Sequence, residues 1–274
     1  MSLPVPPRPD VAGSAVARFP GEDGLASGRP RATWGPLEGI AVWFMANLVV
    51  GGFLVYPLLD LWLDLDDTSG GADDDLLIAS AAIALVTTTI LWLWLRFRHP
   101  SWPAAMGIVG AREGLRDAGW GAIAGVLLYP IIALGVGAIV VLVLEALFGG
   151  GVETPDQLDP GLDGTGRLLA VVYGFGIAPI AEEFFFRGVL FRSIADRRGF
   201  WLGALISGVL FGLVHHPGPG HPAADALVLP IVMTFTGIGL AWIYERRQSL
   251  LAPIAAHMVF NAIGLALVFS GVGG

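Results

Sequence analysis

Residues 180–191 read IAEEFFFRGVLF and place two adjacent carboxylates and a guanidinium inside an otherwise apolar stretch. The surrounding run, from residue 167 to residue 191, exceeds the roughly 20 mainly apolar residues that a membrane-spanning helix needs. A charged side chain at the bilayer centre costs on the order of 3 kcal/mol on insertion scales, so such groups are seldom kept without a use. The stretch therefore predicts a membrane helix that carries a functional site.

The composition of the whole chain also indicates a membrane protein. Its 274 residues have a mean hydropathy of +0.72, and only 14% are charged, which is too few charges to cover an ordinary soluble domain. We predict an all-α, polytopic transmembrane helix bundle of about seven to eight spans. Windows long and apolar enough to cross a bilayer lie at 38–60, 77–96, 118–147, 167–191, 200–216, 226–244 and 249–270.

Domain organisation is expected to be simple. Residues 1–33 are rich in Pro, Gly and Arg and hold no apolar core of the kind that a secretory signal carries, so we expect a disordered N-terminal tail. Residues 34–274 form one predicted transmembrane domain. Ionisable groups gather inside the spans only after residue 167, which makes the C-terminal half the place to expect chemistry. The absence of cysteine excludes disulfides and a cysteine nucleophile.

The distribution of charge predicts the orientation in the membrane. Basic residues occupy the connections at 96–116, 192–198 and 246–247, whereas the connections at 64–75 and 153–163 are acidic. Positively charged loops stay in the cytoplasm, so we expect a multi-pass protein with a cytoplasmic N-terminus. The arginines are dispersed at span ends rather than gathered on one face, which argues against nucleic acid as a partner. The expected partner of these surfaces is the lipid bilayer.

The fifth window, 200–216, has two unusual features. Gly208 and Gly212 are four residues apart, as in helices that let a neighbour approach closely, although a chain with 39 glycines also produces such pairs by chance. The window is short and places His215 near its outer end. For His215 to meet polar groups deeper in the bundle, this helix must be shifted or tilted.

The polar groups inside the spans form three sets. In the first, Glu183 and Arg187 are four residues apart with the acid on the N-terminal side, the favoured orientation for an ion pair along a helix. Glu182 lies about 100° around the helix and is left free to act as a general base. The plainer interpretation is a salt bridge that only packs helices, but it leaves the second acid without a purpose.

The second and third sets contain histidines. His257 and Asn261 share one helix face, and both can donate hydrogen bonds to a small anion, as an oxyanion hole requires. A histidine and an asparagine that merely bridge two helices are commoner. His215 alone could equally be an interfacial residue beside the proline-rich loop at 215–222.

Taken together, EEFFFR at 182–187, FGLVH at 211–215 and HMVFN at 257–261 resemble the three motifs of the CAAX protease and bacteriocin-processing family of intramembrane proteases, also called the Abi family. The resemblance covers about residues 167–270. It implies that Glu182 activates a water molecule with help from His215, and that Glu183 pairs with Arg187. It further implies that His257 and Asn261 polarise the scissile carbonyl, with Phe211 in a supporting position.

This resemblance leads us to expect an intramembrane glutamic endopeptidase in the plasma membrane of a prokaryote. Its partner would be a membrane-associated, prenylated or leader-bearing protein substrate. Two alternatives remain open: a non-catalytic immunity or regulatory protein of the same family, and a proton-coupled transporter. A transporter of this kind would have matching polar groups in both halves of the chain, and the first half has none.

The resemblance leaves the question of metal open. The family has also been viewed as metal-dependent, and two glutamates and two histidines could bind zinc. There is no His-Glu-x-x-His motif, however, and Glu183 is expected to be engaged by Arg187. We expect no metal and no cofactor, with zinc as the alternative.

Overall fold

The computed structural model describes residues 29–63, 72–108, 110–155, 158–159 and 161–271. Within these ranges the regular elements are all helices, which confirms the predicted all-α bundle. The helices are α1 (Pro36–Leu63), α2 (Ala72–Arg98), α3 (Trp102–Ala105), α4 (Ala111–Phe148), α5 (Gly164–Arg198), α6 (Phe200–Leu213), α7 (Asp225–Arg247) and α8 (Leu251–Ser270).

Six of these helices, all except α3 and α6, are long and apolar enough to cross a membrane. The chain is therefore a multi-pass integral membrane protein, and each of the seven sequence windows corresponds to a helix. Helix α6 has 14 residues, or about 21 Å at 1.5 Å per residue, which is shorter than the roughly 30 Å of a hydrocarbon core. The fifth window is thus a short helix, and the described residues contain six full spans, slightly fewer than the seven to eight expected.

Helix α5 carries the motif that decides the fold, and its start is fixed locally. The carboxylate of Asp163 accepts hydrogen bonds from the backbone N–H groups of Thr165 and Gly166, which satisfies donors that the first helical turn leaves free. These bonds stabilise the charged form and lower the pKa of Asp163. The largest cluster of buried apolar side chains surrounds the middle and the second half of α5.

The basic connections meet at one end of the bundle. Arg247, at the end of α7, forms an ion pair with Asp117 near the start of α4. At the same end, the backbone N–H of Ala32 donates to Asp196 of α5 over 2.8 Å. The acidic connections meet elsewhere, where the backbone N–H of Glu153 donates to Asp225 over 3.1 Å. This grouping is the one that the charge distribution predicts, and which end is cytoplasmic stays a prediction.

Residues 29–34, here called the N-terminal strap, pack on the basic end. The indole N–H of the fully buried Trp34 donates to the carbonyl of Val189 over 2.9 Å, and Arg29 donates to the carbonyl of Gln248. Residues 1–28 of the predicted tail lie outside the described residues. The remainder of that segment, residues 29–33, contacts the bundle.

Small residues allow two pairs of helices to approach closely. A β-carbon at Gly212 of α6 would collide with the carbonyl of Pro230 of α7, and one at Gly208 would lie 2.9 Å from the carbonyl of Thr234. The close approach predicted for this glycine pair is confirmed. A second pair, which no sequence motif predicted, is Gly121 and Gly125 of α4; these residues pack in the same way against the backbone of α8 at Ala252 and Ala256.

Candidate active site

The ion pair between Glu183 and Arg187 lies in the interior of the bundle. Both side chains are fully buried, and Arg187 Nη1 donates to Glu183 Oε1 over 2.7 Å. Arg187 Nη2 donates to the carbonyl of Gly237 on α7 over 3.1 Å, and its guanidinium carbon lies 4.5 Å from the ring centre of Phe211. The pairing expected from the spacing of four residues is confirmed, and it also joins α5 to α6 and α7.

Glu183 has a second partner that its helix does not contain. His257 of α8 approaches with Nδ1 at 2.9 Å from the same oxygen, Glu183 Oε1. His257 is 3% exposed, so this contact is shielded from solvent. An ionised carboxylate only accepts hydrogen bonds, and Nδ1 must therefore carry the hydrogen. In a neutral His257 the other nitrogen, Nε2, then has a free lone pair.

Glu182 lies on the other side of His257. Its side chain is 25% exposed, in contrast to the fully buried Glu183. Glu182 Oε2 lies 3.8 Å from His257 Nε2, which is too long for a direct hydrogen bond and short enough for one water molecule to bridge the two atoms. The two adjacent carboxylates of α5 thus face the two nitrogens of one imidazole.

Helix α6 brings the second motif beside this network. His215, just beyond its C-terminal end, is half-buried and donates from Nδ1 to the carbonyl of Phe211 over 2.7 Å, which leaves Nε2 free. The Phe211 ring lies 4.6 Å from the ring of His215 and 5.7 Å from that of His257. Phe211 therefore contacts both histidines. Among the described residues, no hydrogen bond or ion pair joins His215 to Glu182.

Asn261 links α8 to the first half of α5. Its amide nitrogen donates to the carbonyl of Gly174 over 2.8 Å, so one of its two amide hydrogens is used between helices. Such a bond between helices is the alternative to an oxyanion role for this residue. The second amide hydrogen is not used by this contact, and a role toward substrate stays a prediction.

Sequence reasoning missed one polar residue at this site, Tyr173. Its side chain lies near Ser80 of α2 and close enough to Glu182 for the charge of the carboxylate to act on it. Tyr173 immediately precedes Gly174, whose carbonyl accepts the hydrogen bond from Asn261. The sequence signal for this residue was a tyrosine inside an apolar span. A buried tyrosine hydroxyl needs a hydrogen-bond partner, so such a residue indicates a polar neighbour. Helix α2, outside the motif region, therefore contributes to the wall of the site.

Among the described residues, few side chains of this site are free to bind a metal ion. Within the part of the chain that the structure describes, no group of three or more His, Cys, Asp or Glu side chains is placed to hold a metal ion. Glu183 and Nδ1 of His257 are occupied by each other, which removes two of the donors that a zinc site would use. The expectation of a metal-free site stays a prediction, tested below.

These features define a class: a multi-pass membrane protein with a buried network of two glutamates, a histidine and an arginine. Residues 164–263 match the family described as "Type II CAAX prenyl endopeptidase Rce1-like". This region of the chain is therefore similar to the Rce1-like family, in agreement with the resemblance of the three motifs.

Two curated relatives each match about a third of the chain. The "Putative membrane peptidase YdiL" of Bacillus subtilis is 32% identical over 93 residues, which is 34% of each chain. The "UPF0177 protein YxdF" of Lactococcus lactis is 32% identical over 98 residues, 35% of this chain and 49% of that protein. The chain thus spans between a third and a half of the length of these relatives. No solved structure matches the chain.

Proposed function

We propose that the protein is an intramembrane endopeptidase in which Glu182 activates a water molecule for hydrolysis of a peptide bond. The observation that carries the proposal is the gap of 3.8 Å between Glu182 Oε2 and His257 Nε2. Both atoms are hydrogen-bond acceptors when Glu182 is ionised and His257 is neutral. A water molecule to one side of the line between these atoms, about 2.8 Å from each, would donate one hydrogen to each, which leaves its oxygen lone pairs free to attack a carbonyl carbon.

The proton transfers follow from this placement. As the water oxygen bonds to the carbonyl carbon, its proton passes to Glu182, and the carbonyl becomes a tetrahedral oxyanion. When the carbon–nitrogen bond breaks, Glu182 returns the proton to the departing amine nitrogen. His257 orients the water, and Glu183 orients His257 through the bond to Nδ1. Arg187 balances the charge of Glu183.

The oxyanion needs hydrogen-bond donors fixed in a site of low dielectric constant. A neutral His257 with its hydrogen on Nδ1 cannot donate from Nε2, so it serves the oxyanion only as an imidazolium. The second amide hydrogen of Asn261 and a protonated His215 are the other candidates. The proposed mechanism thus gives a role to each of the four motif residues, Glu182, His215, His257 and Asn261.

The substrate that fits this proposal is a protein held at the membrane. The site lies between membrane-spanning helices, and its base is partly exposed, so a peptide bond must reach it within or next to the bilayer. The family description names prenyl endopeptidases, which supports a prenylated or leader-bearing protein as the substrate class. We place the enzyme in the plasma membrane of a prokaryote.

The first test is Glu182→Gln, which keeps the shape of the side chain and removes the base. We expect cleavage of a peptide substrate by the purified variant to fall by about a hundredfold or more, the range for loss of a general base. Thermal unfolding should stay close to that of the parent, because Glu182 makes no short hydrogen bond. Glu153→Gln, at an exposed position in the connection before α5, is the matched control. A Glu182→Gln variant that retains most of its activity would refute the mechanism.

The second test concerns zinc. If Glu182 activates the water and preorganised donors hold the oxyanion, catalysis needs no Lewis acid. We expect active, purified protein to contain well below one zinc per chain by elemental analysis and to resist prolonged treatment with a chelator. Stoichiometric zinc, with activity lost on stripping and restored when zinc is added back, would assign the same residues to a metal-dependent protease instead.

A further inference from the structure

A cavity lies at the basic end of the bundle, where the N-terminal strap passes the end of α5. Its volume is about 430 Å³, and it is lined by Arg31, Ala32, Asp196 and Arg197. The cavity therefore lies between two arginines that are far apart in sequence. It is separate from the network around Glu183, which is 13 residues earlier on α5 than Asp196.

The positive charges at this cavity are not balanced by the one carboxylate that lines it. Asp196 already forms an ion pair with Arg192 over 3.1 Å and accepts the Ala32 N–H over 2.8 Å. Arg197 donates to the backbone carbonyls of Ser193 and Ala32, over 2.8 Å and 3.3 Å, and neither carries a charge. Arg31 is exposed and forms no hydrogen bond or ion pair with another described residue. The cavity thus has two guanidinium charges and one carboxylate, and that carboxylate is already paired with Arg192.

The position of the cavity identifies what surrounds it. Arg197 lies in the last turn of a helix long enough to span the membrane. Four residues later, at the start of α6, the side chain of Trp201 is 64% exposed on the surface of the bundle. Exposed tryptophans at span ends lie at the level of the lipid headgroups. The cavity therefore opens in the headgroup layer rather than in bulk water.

We propose that this cavity binds the phosphate of an anionic phospholipid headgroup, with Arg31 and Arg197 as the hydrogen-bond donors. Guanidinium groups match phosphate oxygens in geometry, and basic pockets beside membrane helices favour anionic lipids. Because Arg197 and Asp196 also bind the backbone of Ala32, a lipid at this position would hold the N-terminal strap against the membrane surface as well as against α5.

The test is a titration of the purified, full-length protein in neutral detergent with short-chain phosphatidylglycerol, with phosphatidylcholine as the zwitterionic counterpart of zero net charge. Native mass spectrometry counts the lipids bound to each chain. We expect phosphatidylglycerol to bind more tightly than phosphatidylcholine, and Arg31→Gln and Arg197→Gln each to weaken it about fivefold, as expected for one basic residue near an anionic surface. Arg98→Gln, an exposed arginine outside this cavity, is the matched control and should bind phosphatidylglycerol like the parent.

Several results would overturn the proposal. Equal binding of the two lipids, or undiminished binding of phosphatidylglycerol by Arg31→Gln, would show that the cavity does not recognise the headgroup. Arg31 has no partner whose loss would disturb folding, so its variant remains informative even if Arg197→Gln unfolds. Inorganic phosphate is the third arm: if millimolar phosphate displaces the lipid completely, the site takes a free phosphate rather than a headgroup.

Discussion

Glu183 holds together the charged groups in the interior of this protein. A single oxygen, Oε1, accepts hydrogen bonds from Arg187 on the same helix and from His257 on α8. The carboxylate therefore has two tasks: it balances a guanidinium that is 0% exposed, and it fixes which nitrogen of the imidazole carries a hydrogen. Its neighbour Glu182 takes part in neither bond, and this difference separates the two adjacent acids.

Glu183→Gln should consequently damage both stability and activity. The substitution leaves Arg187 buried without a counter-charge, which typically destabilises a protein by about 3 kcal/mol or more. It also leaves a neutral amide oxygen as the acceptor for both Arg187 and His257, which weakens the bond that orients His257, so cleavage should fall as well. Thermal unfolding and peptide cleavage measured side by side with Glu182→Gln check this division. Unchanged unfolding of Glu183→Gln with activity lost as in Glu182→Gln would contradict it.

At the scale of single residues, the sequence predicts contacts within a helix better than contacts between helices. A spacing of four residues is enough to pair Glu183 with Arg187. The contact between Glu183 and His257 crosses 74 positions and depends on how α5 and α8 pack, which no local pattern contains. For the same reason, the use of Asn261 to hold Gly174, and the place of Tyr173 beside Glu182, became apparent only with the structure.

At the scale of elements, the hydropathy of the sequence predicts the existence of each long helix, because crossing a bilayer demands a long apolar run. It does not predict how far α6 extends, since the apolar window continues to residue 216 while the helix ends at Leu213. Hydropathy also does not predict the N-terminal strap. Hydrogen bonds to its backbone hold the strap in place, and such bonds produce no hydrophobic periodicity in the sequence. The short α6 nevertheless brings His215 beside the site through the ring of Phe211.

The packing of α4 on α8 gives a test at this scale. A β-carbon at Gly125 would collide with the backbone of Ala256, the residue before His257. We therefore expect Gly125→Ala to lower both thermal stability and cleavage, by about 1–3 kcal/mol in stability, the usual cost of overpacking. Gly119→Ala on the same helix is the control, because nothing lies within 4 Å of a β-carbon there. Equal unfolding temperatures for the two variants would show that this helix contact is loose.

At the scale of the whole molecule, the bundle separates its charged connections into two ends. The basic connections are joined by the contacts of Arg247 with Asp117 and of Ala32 with Asp196. The acidic connections meet where Glu153 contacts Asp225. Such an asymmetry determines orientation in the membrane, because connections rich in arginine stay in the cytoplasm. We therefore expect the basic end, with the N-terminal strap and the proposed lipid cavity, to face the cytoplasm.

The cysteine-free chain allows this orientation to be measured with single cysteines. Thr154 and Arg198 are exposed, the first in the acidic connection before α5 and the second at the basic end of α5. In intact cells that express the protein, Thr154→Cys should react with a membrane-impermeant thiol reagent. Arg198→Cys should react only after the cells are permeabilised, and that second labelling shows that its thiol is accessible. Labelling of Arg198→Cys but not of Thr154→Cys in intact cells would reverse the orientation and place the strap outside.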